Sequence, residues 1–124
     1  MEVAVYGIGT DIITISRIEK SLSKPNFIAK VYGENEIAAF ASGEKLRVNS
    51  LAANFAAKEA FGKALGTGVR GFELYEVEIL RDSLGKPYFA LSGRAKEIAE
   101  SKQLVCHVSL SHEGDKAIAF VVME

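Results

Sequence analysis

Asn54-Phe55-Ala56-Ala57-Lys58-Glu59-Ala60-Phe61-Gly62-Lys63-Ala64-Leu65-Gly66-Thr67-Gly68 is the stretch on which the architecture of this 124-residue chain turns. It is a run of strong helix formers stopped by Gly-Thr-Gly, with Gly66 well placed to end a helix in the left-handed conformation. The pattern extends back to Glu44, with Leu51, Phe55, Phe61 and Leu65 supplying much of the apolar surface, so a long helix is expected over 44–65. Glu59 and Lys63 stand one turn apart in a clearing of alanine and glycine, which leaves a bulky ligand room to approach the carboxylate. Taken alone, Glu59–Lys63 reads as a solvent-exposed i,i+4 pair in the favourable order.

Outward from the helix, 3–8 is β-rich and leads into Gly7-Ile8-Gly9-Thr10-Asp11-Ile12. The glycines allow a turn or a close approach to a ligand. Short helices are expected over 16–22, 26–31 and 34–41, the first interrupted by Pro25. Strands over 75–81 and 87–91 flank Asp82-Ser83-Leu84-Gly85-Lys86, a hairpin signal, and a short helix follows from Ser92 or Gly93 to about Ser101. A second hairpin, 104–111 with 117–123, turns at Glu113-Gly114-Asp115-Lys116. This order predicts α+β with a largely antiparallel sheet packed on the long helix, in one domain spanning 1–124.

Apolar residues make up 48% and charged residues 25%, the proportions of a globular protein. The formal net charge of −1 argues against a nucleic-acid binder. No stretch approaches a membrane span, and the first six residues lack the basic region of a signal peptide. The single Cys106 sits in an apolar run, where a buried inert thiol is expected. A reducing, cytoplasmic setting is inferred.

Three segments can carry chemistry. Asp11 follows two glycines on a stiff support; a lone Asp there would more simply cap the next helix. Were Asp11 and Glu59 to converge, they could hold a hard cation such as Mg²⁺ and leave positions for water and phosphate oxygens, although 48 residues of sequence separate them. In His107-Val108-Ser109-Leu110-Ser111-His112, alternation puts His107, Ser109 and Ser111 on one face and His112 on the other. A structural role suits His107; His112, beside a turn, is the better ligand candidate. A Ser–His pair without a placed acid is weak evidence for a hydrolase triad.

Together, Gly7-Ile8-Gly9-Thr10-Asp11-Ile12 with Arg17-Ile18, Phe55-Ala56-Ala57-Lys58-Glu59-Ala60 with Lys63-Ala64-Leu65-Gly66-Thr67-Gly68, Gly85-Lys86-Pro87 and the histidine segment resemble the holo-acyl-carrier-protein synthase family of 4′-phosphopantetheinyl transferases. The motifs fall in the family's order across essentially the whole chain. The resemblance implies transfer of phosphopantetheine from coenzyme A to a serine of apo-acyl carrier protein, in support of fatty acid biosynthesis. It implies that Asp11 and Glu59 bind Mg²⁺, with Lys63 as their catalytic partner on the phosphates and either Glu59 or a held water as general base. Lys63, Gly66, Thr67, Gly68 and His112 would line the coenzyme A site. Arg17, Lys20 and Lys24 would meet the acidic carrier, although a solvated helix face explains Lys24 equally well. A homotrimer with active sites between subunits is implied, so that His112 would serve a neighbouring chain's Asp11 and Glu59.

One position departs from the family pattern. Many members carry arginine where this chain has Asn54, which cannot supply that charge. Weaker coenzyme A binding follows, or a substitute cation such as Arg47 or Arg70. Asn54 is also the one feature that favours a non-catalytic binding module. A ligand-free structural trimer would leave the clearing around Glu59 unexplained.

Overall fold

The computed structural model describes residues 4–42 and 46–124. In chain order it contains β1 (Gly7–Thr14), α1 (Ile15–Leu22), α2 (Phe27–Val31), α3 (Glu34–Phe40), α4 (Val48–Leu65), β2 (Val77–Arg81), β3 (Pro87–Leu91), α5 (Gly93–Ser101), β4 (Cys106–Glu113) and β5 (Lys116–Met123). A 3-10 turn at Leu74–Glu76 precedes β2. The fold is α+β, as the element order predicts. All strand pairing is antiparallel, but it is divided between a three-stranded sheet, ordered β1-β5-β4, and a separate β2-β3 hairpin.

The central element is α4. Of its 18 residues, 12 are buried, including Ala56, Ala57, Ala60 and Ala64 against the three-stranded sheet. A helix apolar on nearly all sides is the interior element of a small domain. Phe61 meets Phe72 and Phe89 edge to face, which seals α4 to the β2-β3 hairpin. On the other side Leu51, Ala52 and Ala53 pack with Ile15, Ile18 and Leu22 of α1. No helix among the described residues is long and apolar enough to cross a membrane.

The first strand differs from the sequence reading. It begins at Gly7, not in the β-rich 3–8, so the glycine motif and Asp11 lie inside the strand. Val3, and Gly43 to Lys45 at the expected start of the long helix, lie outside the described residues. Asp11 does not cap α1. Ser16 N–H donates to Asp115 Oδ1 at 2.9 Å and Ile15 N–H to Asp115 O at 2.8 Å, so the β4-β5 turn supplies the cap.

Candidate active site

β1 and α4 meet backbone to backbone. A Cβ on Gly9 would stand 2.0 Å from Ala60 O, and one on Gly7 would stand 2.0 Å from Ala64 O. Only glycine permits that approach, so these residues serve neither a turn nor a ligand directly; they bring the strand onto its own helix. Asp11 pairs with Ala119, which is fully buried beneath α4, so Asp11 points to the helix side of the sheet. Helical side chains lean toward the helix N-terminus, which carries Glu59 and Lys63 back toward Asp11.

Lys63 Nζ donates to Asp11 Oδ1 at 3.1 Å and to Thr10 O at 2.9 Å. The lysine therefore pairs with Asp11 across the strand–helix contact rather than with Glu59. Burial, then the Asp11 charge, pushes the Glu59 carboxyl above its ordinary range, while Lys63 pulls it down. Two half-buried carboxylates that raise one another's energy form a hard oxygen donor set, and a divalent cation would relieve their repulsion. Among the described residues no cluster of three or more His, Cys, Asp or Glu side chains could enclose a metal. A cation on Asp11 and Glu59 would take its remaining oxygens from water or substrate.

His112 is not part of this group within one chain. It pairs with Ala117 on β5, at the far side of the sheet from β1. It shares a cavity of about 240 Å³ with Asn49, Ser50, Ala53, Arg81, Gly85, Pro87, Leu110 and Ser111. At 100° per residue, Asn54 and Ser50 emerge roughly 140° and 180° around α4 from Glu59, so the helix body separates the two regions. His107 lies at the strand end with Nε2 3.0 Å from Glu124 Oε1, in keeping with a structural role. Cys106 is half-buried, and burial pushes its thiol up to about 11, which keeps it unreactive.

Beneath the His112 cavity lies a polar network that the sequence reading missed. Lys58 and Glu36 are wholly buried and meet at 2.6 Å. Lys58 Nζ also donates to Val77 O at 2.6 Å and Leu74 O at 3.1 Å. Glu36 accepts from Gly33 N–H at 3.0 Å, Ile79 N–H at 3.2 Å and Asn54 Nδ2 at 2.8 Å. Burial pushes the Glu36 carboxyl up and the Lys58 ammonium down, and each partner's charge offsets the other's shift. Glu78 accepts from the backbone N–H groups of Asn35 and Glu36 at 2.9 and 3.0 Å, tying β2 to the start of α3. No buried side-chain polar atom among the described residues lacks a partner.

Asn54 belongs to this network, which revises the expectation attached to it. Its Nδ2 also donates to Ile79 O at 2.9 Å, and its Oδ1 accepts from Arg81 Nη2 at 2.8 Å. Fully buried, Asn54 cannot face a ligand. An arginine there would displace these bonds, so Asn54→Arg is expected to lose stability rather than tighten binding. Of the substitute cations considered, Arg47 lines an adjoining cavity that shares Asn49 and Ser50, and Arg70 is exposed and lines neither. Among the described residues that line the His112 cavity, the cation is Arg81.

Gly66, at φ 86°, ends α4 in the left-handed conformation, and Gly68 N–H returns to Gly62 O at 3.0 Å. The Gly66-Thr67-Gly68 turn is thus accounted for as a helix stop folded back on its helix. Arg17 and Lys20 are exposed on α1, whereas Lys24 lies beyond the end of that helix. Arg17 lines a cavity of about 340 Å³ with Ile12, Ile13, Thr14, Ile18, Ser21, Phe27 and Phe55, one turn of α4 from Glu59.

Residues 7–121 match the model of the 4′-phosphopantetheinyl transferase superfamily. The chain is 50% identical over 121 residues to the holo-(acyl-carrier-protein) synthase of Clostridium beijerinckii, covering 97% of this chain and 98% of that protein. It is similar to the crystal structure of holo-(acyl-carrier-protein) synthase from Neisseria meningitidis, with a TM-score of 0.87, 38% identity and coverage of 98% and 99%. It is also similar to the Bacillus anthracis synthase in complex with coenzyme A (3′,5′-ADP), with a TM-score of 0.81, 34% identity and coverage of 98% and 97%.

Proposed function

The chain belongs to the 4′-phosphopantetheinyl transferase superfamily, and from that premise we propose that it is a holo-acyl-carrier-protein synthase acting as a single domain over 1–124. In this reading a carrier serine Oγ attacks the phosphate that bears the pantetheine of coenzyme A. The new P–O bond forms as the bond to the bridging pyrophosphate oxygen breaks, and adenosine 3′,5′-bisphosphate leaves. The serine proton passes to Glu59 or to a water held there. The observation that carries this reading is the convergence of Asp11, Glu59 and Lys63 at the β1–α4 contact.

Asp11 and Glu59 would hold Mg²⁺, which supplies positive charge to the pyrophosphate oxygens. Lys63, more than half exposed, can turn from Asp11 to a phosphate. Arg17, Lys20 and Lys24 would steer the acidic carrier protein toward Glu59, and the cavity beside Arg17 supports that route. Gly66, Thr67, Gly68 and His112 would border coenzyme A.

A homotrimer with shared sites is part of the same reading. The sheet face away from α4 exposes Ile8, Ile12, Ile118 and Phe120, which are 60%, 59%, 40% and 44% accessible. Contiguous apolar surface of this kind favours a second copy. Such an arrangement would also unite His112 of one chain with Asp11 and Glu59 of another. A role in fatty acid biosynthesis and a cytoplasmic location complete the proposal; the lone Cys106 suits a reducing compartment.

The test is intact-mass spectrometry of apo-acyl carrier protein incubated with this protein, coenzyme A and Mg²⁺. A phosphopantetheine mass gain, lost with EDTA and with Glu59→Ala, is expected. No gain with several different carriers, from folded protein that binds coenzyme A, would refute the transferase assignment.

A further inference from the structure

We propose that Arg81 is the guanidinium that grips the 3′-phosphate of coenzyme A in the His112 cavity, and that Asn54 acts through it as a positioning residue; this rests on the transferase reading above. The cavity is small, about 240 Å³, and among the described residues its polar lining comes from Asn49, Ser50, Arg81, Ser111 and His112, with no carboxylate. Groups able to donate hydrogen bonds surround it, a composition that suits a phosphomonoester.

Arg81 is half-buried and held from several sides. Nη2 donates to Asn54 Oδ1 at 2.8 Å, Nη1 approaches Ile79 O at 3.3 Å, and the guanidinium lies 5.1 Å from the Phe40 ring centroid. Asn54 is locked in turn by Glu36 and Ile79 O. Among the described residues no carboxylate lies within ion-pair distance of Arg81. The neighbouring Asp82 spends its Oδ1 on the turn, accepting from the Leu84 and Lys86 N–H groups at 2.9 Å.

A guanidinium has five N–H donors, and its contacts here leave some of them for a ligand. A partly desolvated cation held by neutral partners, with Glu36 reaching it only through Asn54 and no described carboxylate in ion-pair contact, is organised for an anion from outside. Asn54 thus contributes no charge of its own, but it orients the residue that does.

The experiment is titration calorimetry of coenzyme A, dephospho-coenzyme A and adenosine 3′,5′-bisphosphate against wild type, Arg81→Gln, Arg81→Lys and Arg47→Gln. Glutamine retains an amide N–H for Asn54 while removing the charge. Wild type is expected to prefer coenzyme A to dephospho-coenzyme A. Arg81→Gln should weaken coenzyme A and the bisphosphate about 10- to 100-fold, the worth of one charge-assisted contact, and leave dephospho-coenzyme A within about twofold. Arg81→Lys, which keeps the charge, should retain part of the preference and serves as the readout if Arg81→Gln does not fold. Equal weakening of all ligands, an unchanged preference in the Arg81 variants, or loss of preference only in Arg47→Gln would overturn the assignment. Wild type that binds neither coenzyme A nor the bisphosphate would bring down the transferase reading itself, and this inference with it.

Discussion

Replacing Lys58 with methionine isolates the worth of the buried charge pair at the centre of the molecule. Methionine keeps most of the lysine stem, so the change is chiefly loss of the ammonium rather than a cavity. Three bonds disappear, to Glu36 Oε1, Val77 O and Leu74 O. Glu36 keeps three donors, from Gly33, Ile79 and Asn54, but its charge is left buried and unpaired. Breaking such a pair from one side costs about 3–5 kcal/mol, and the surviving donors put the expectation near the low end, about 3 kcal/mol. For a chain of this length that is a fall of roughly 12 °C in Tm, or a urea midpoint lower by about 1–2 M. The assay is urea unfolding followed by circular dichroism at fixed protein concentration, because any self-association makes stability concentration-dependent.

The deficit should also depend on pH. Without Lys58, folded Glu36 binds its proton more tightly than the unfolded chain does. Stability from that proton is present at low pH and is lost as pH rises through the raised folded pKa. Lys58→Met should therefore be closer to wild type at pH 5 than at pH 8. Adding Glu36→Gln, which removes the orphaned charge, should restore about 1 kcal/mol or more at pH 8. A variant within about 1 kcal/mol of wild type at pH 8, or a deficit that does not change with pH, would show that the pair does not carry the charge balance described.

The remaining expectations concern the site and its surroundings. Gly9→Ala places a Cβ 2.0 Å from Ala60 O and 2.8 Å from Ala64 N, so β1 must move outward; stability should fall by about 1–3 kcal/mol in thermal melts, and transfer by on the order of 10²-fold. Asp11→Asn removes the second cause of the raised Glu59 pKa, so the Glu59 carboxyl in metal-free protein should titrate lower by NMR; an unchanged value would mean the two groups do not interact. Phe120→Asp puts a charge on the exposed sheet face, and light scattering should find a smaller assembly than for wild type; the same mass for both would remove the support for a trimer through that face.

The long helix, the two hairpins and the α+β class were legible because their signals are local: helix formers closed by Gly66, and turns at Asp82 to Lys86 and around Gly114. The first strand was displaced in the reading because Gly7 and Gly9 weaken a strand locally, and the compensation is a contact with α4 some 50 residues away in sequence. Asp11 and Glu59 could be named as candidates, but only the register of β1 on α4 brings them together. The buried network escaped because Glu36, Asn54, Lys58 and Arg81 look like ordinary surface residues one at a time. A hint existed. Lys58 stands seven residues from both Leu51 and Leu65, in the middle of an apolar stripe, and Gly33-x-x-Glu36 has the spacing of a helix start.

The glycine contact between β1 and α4 also works as a gauge. The span between the Asp11 and Glu59 backbones is fixed by main chain touching main chain, with no side-chain thickness in between. Exchanges of leucine, valine or phenylalanine elsewhere in the core can alter stability without recalibrating that span. A site tuned for a larger cation would have to be re-dimensioned at Gly7 and Gly9, which have no side chain to offer as a ligand.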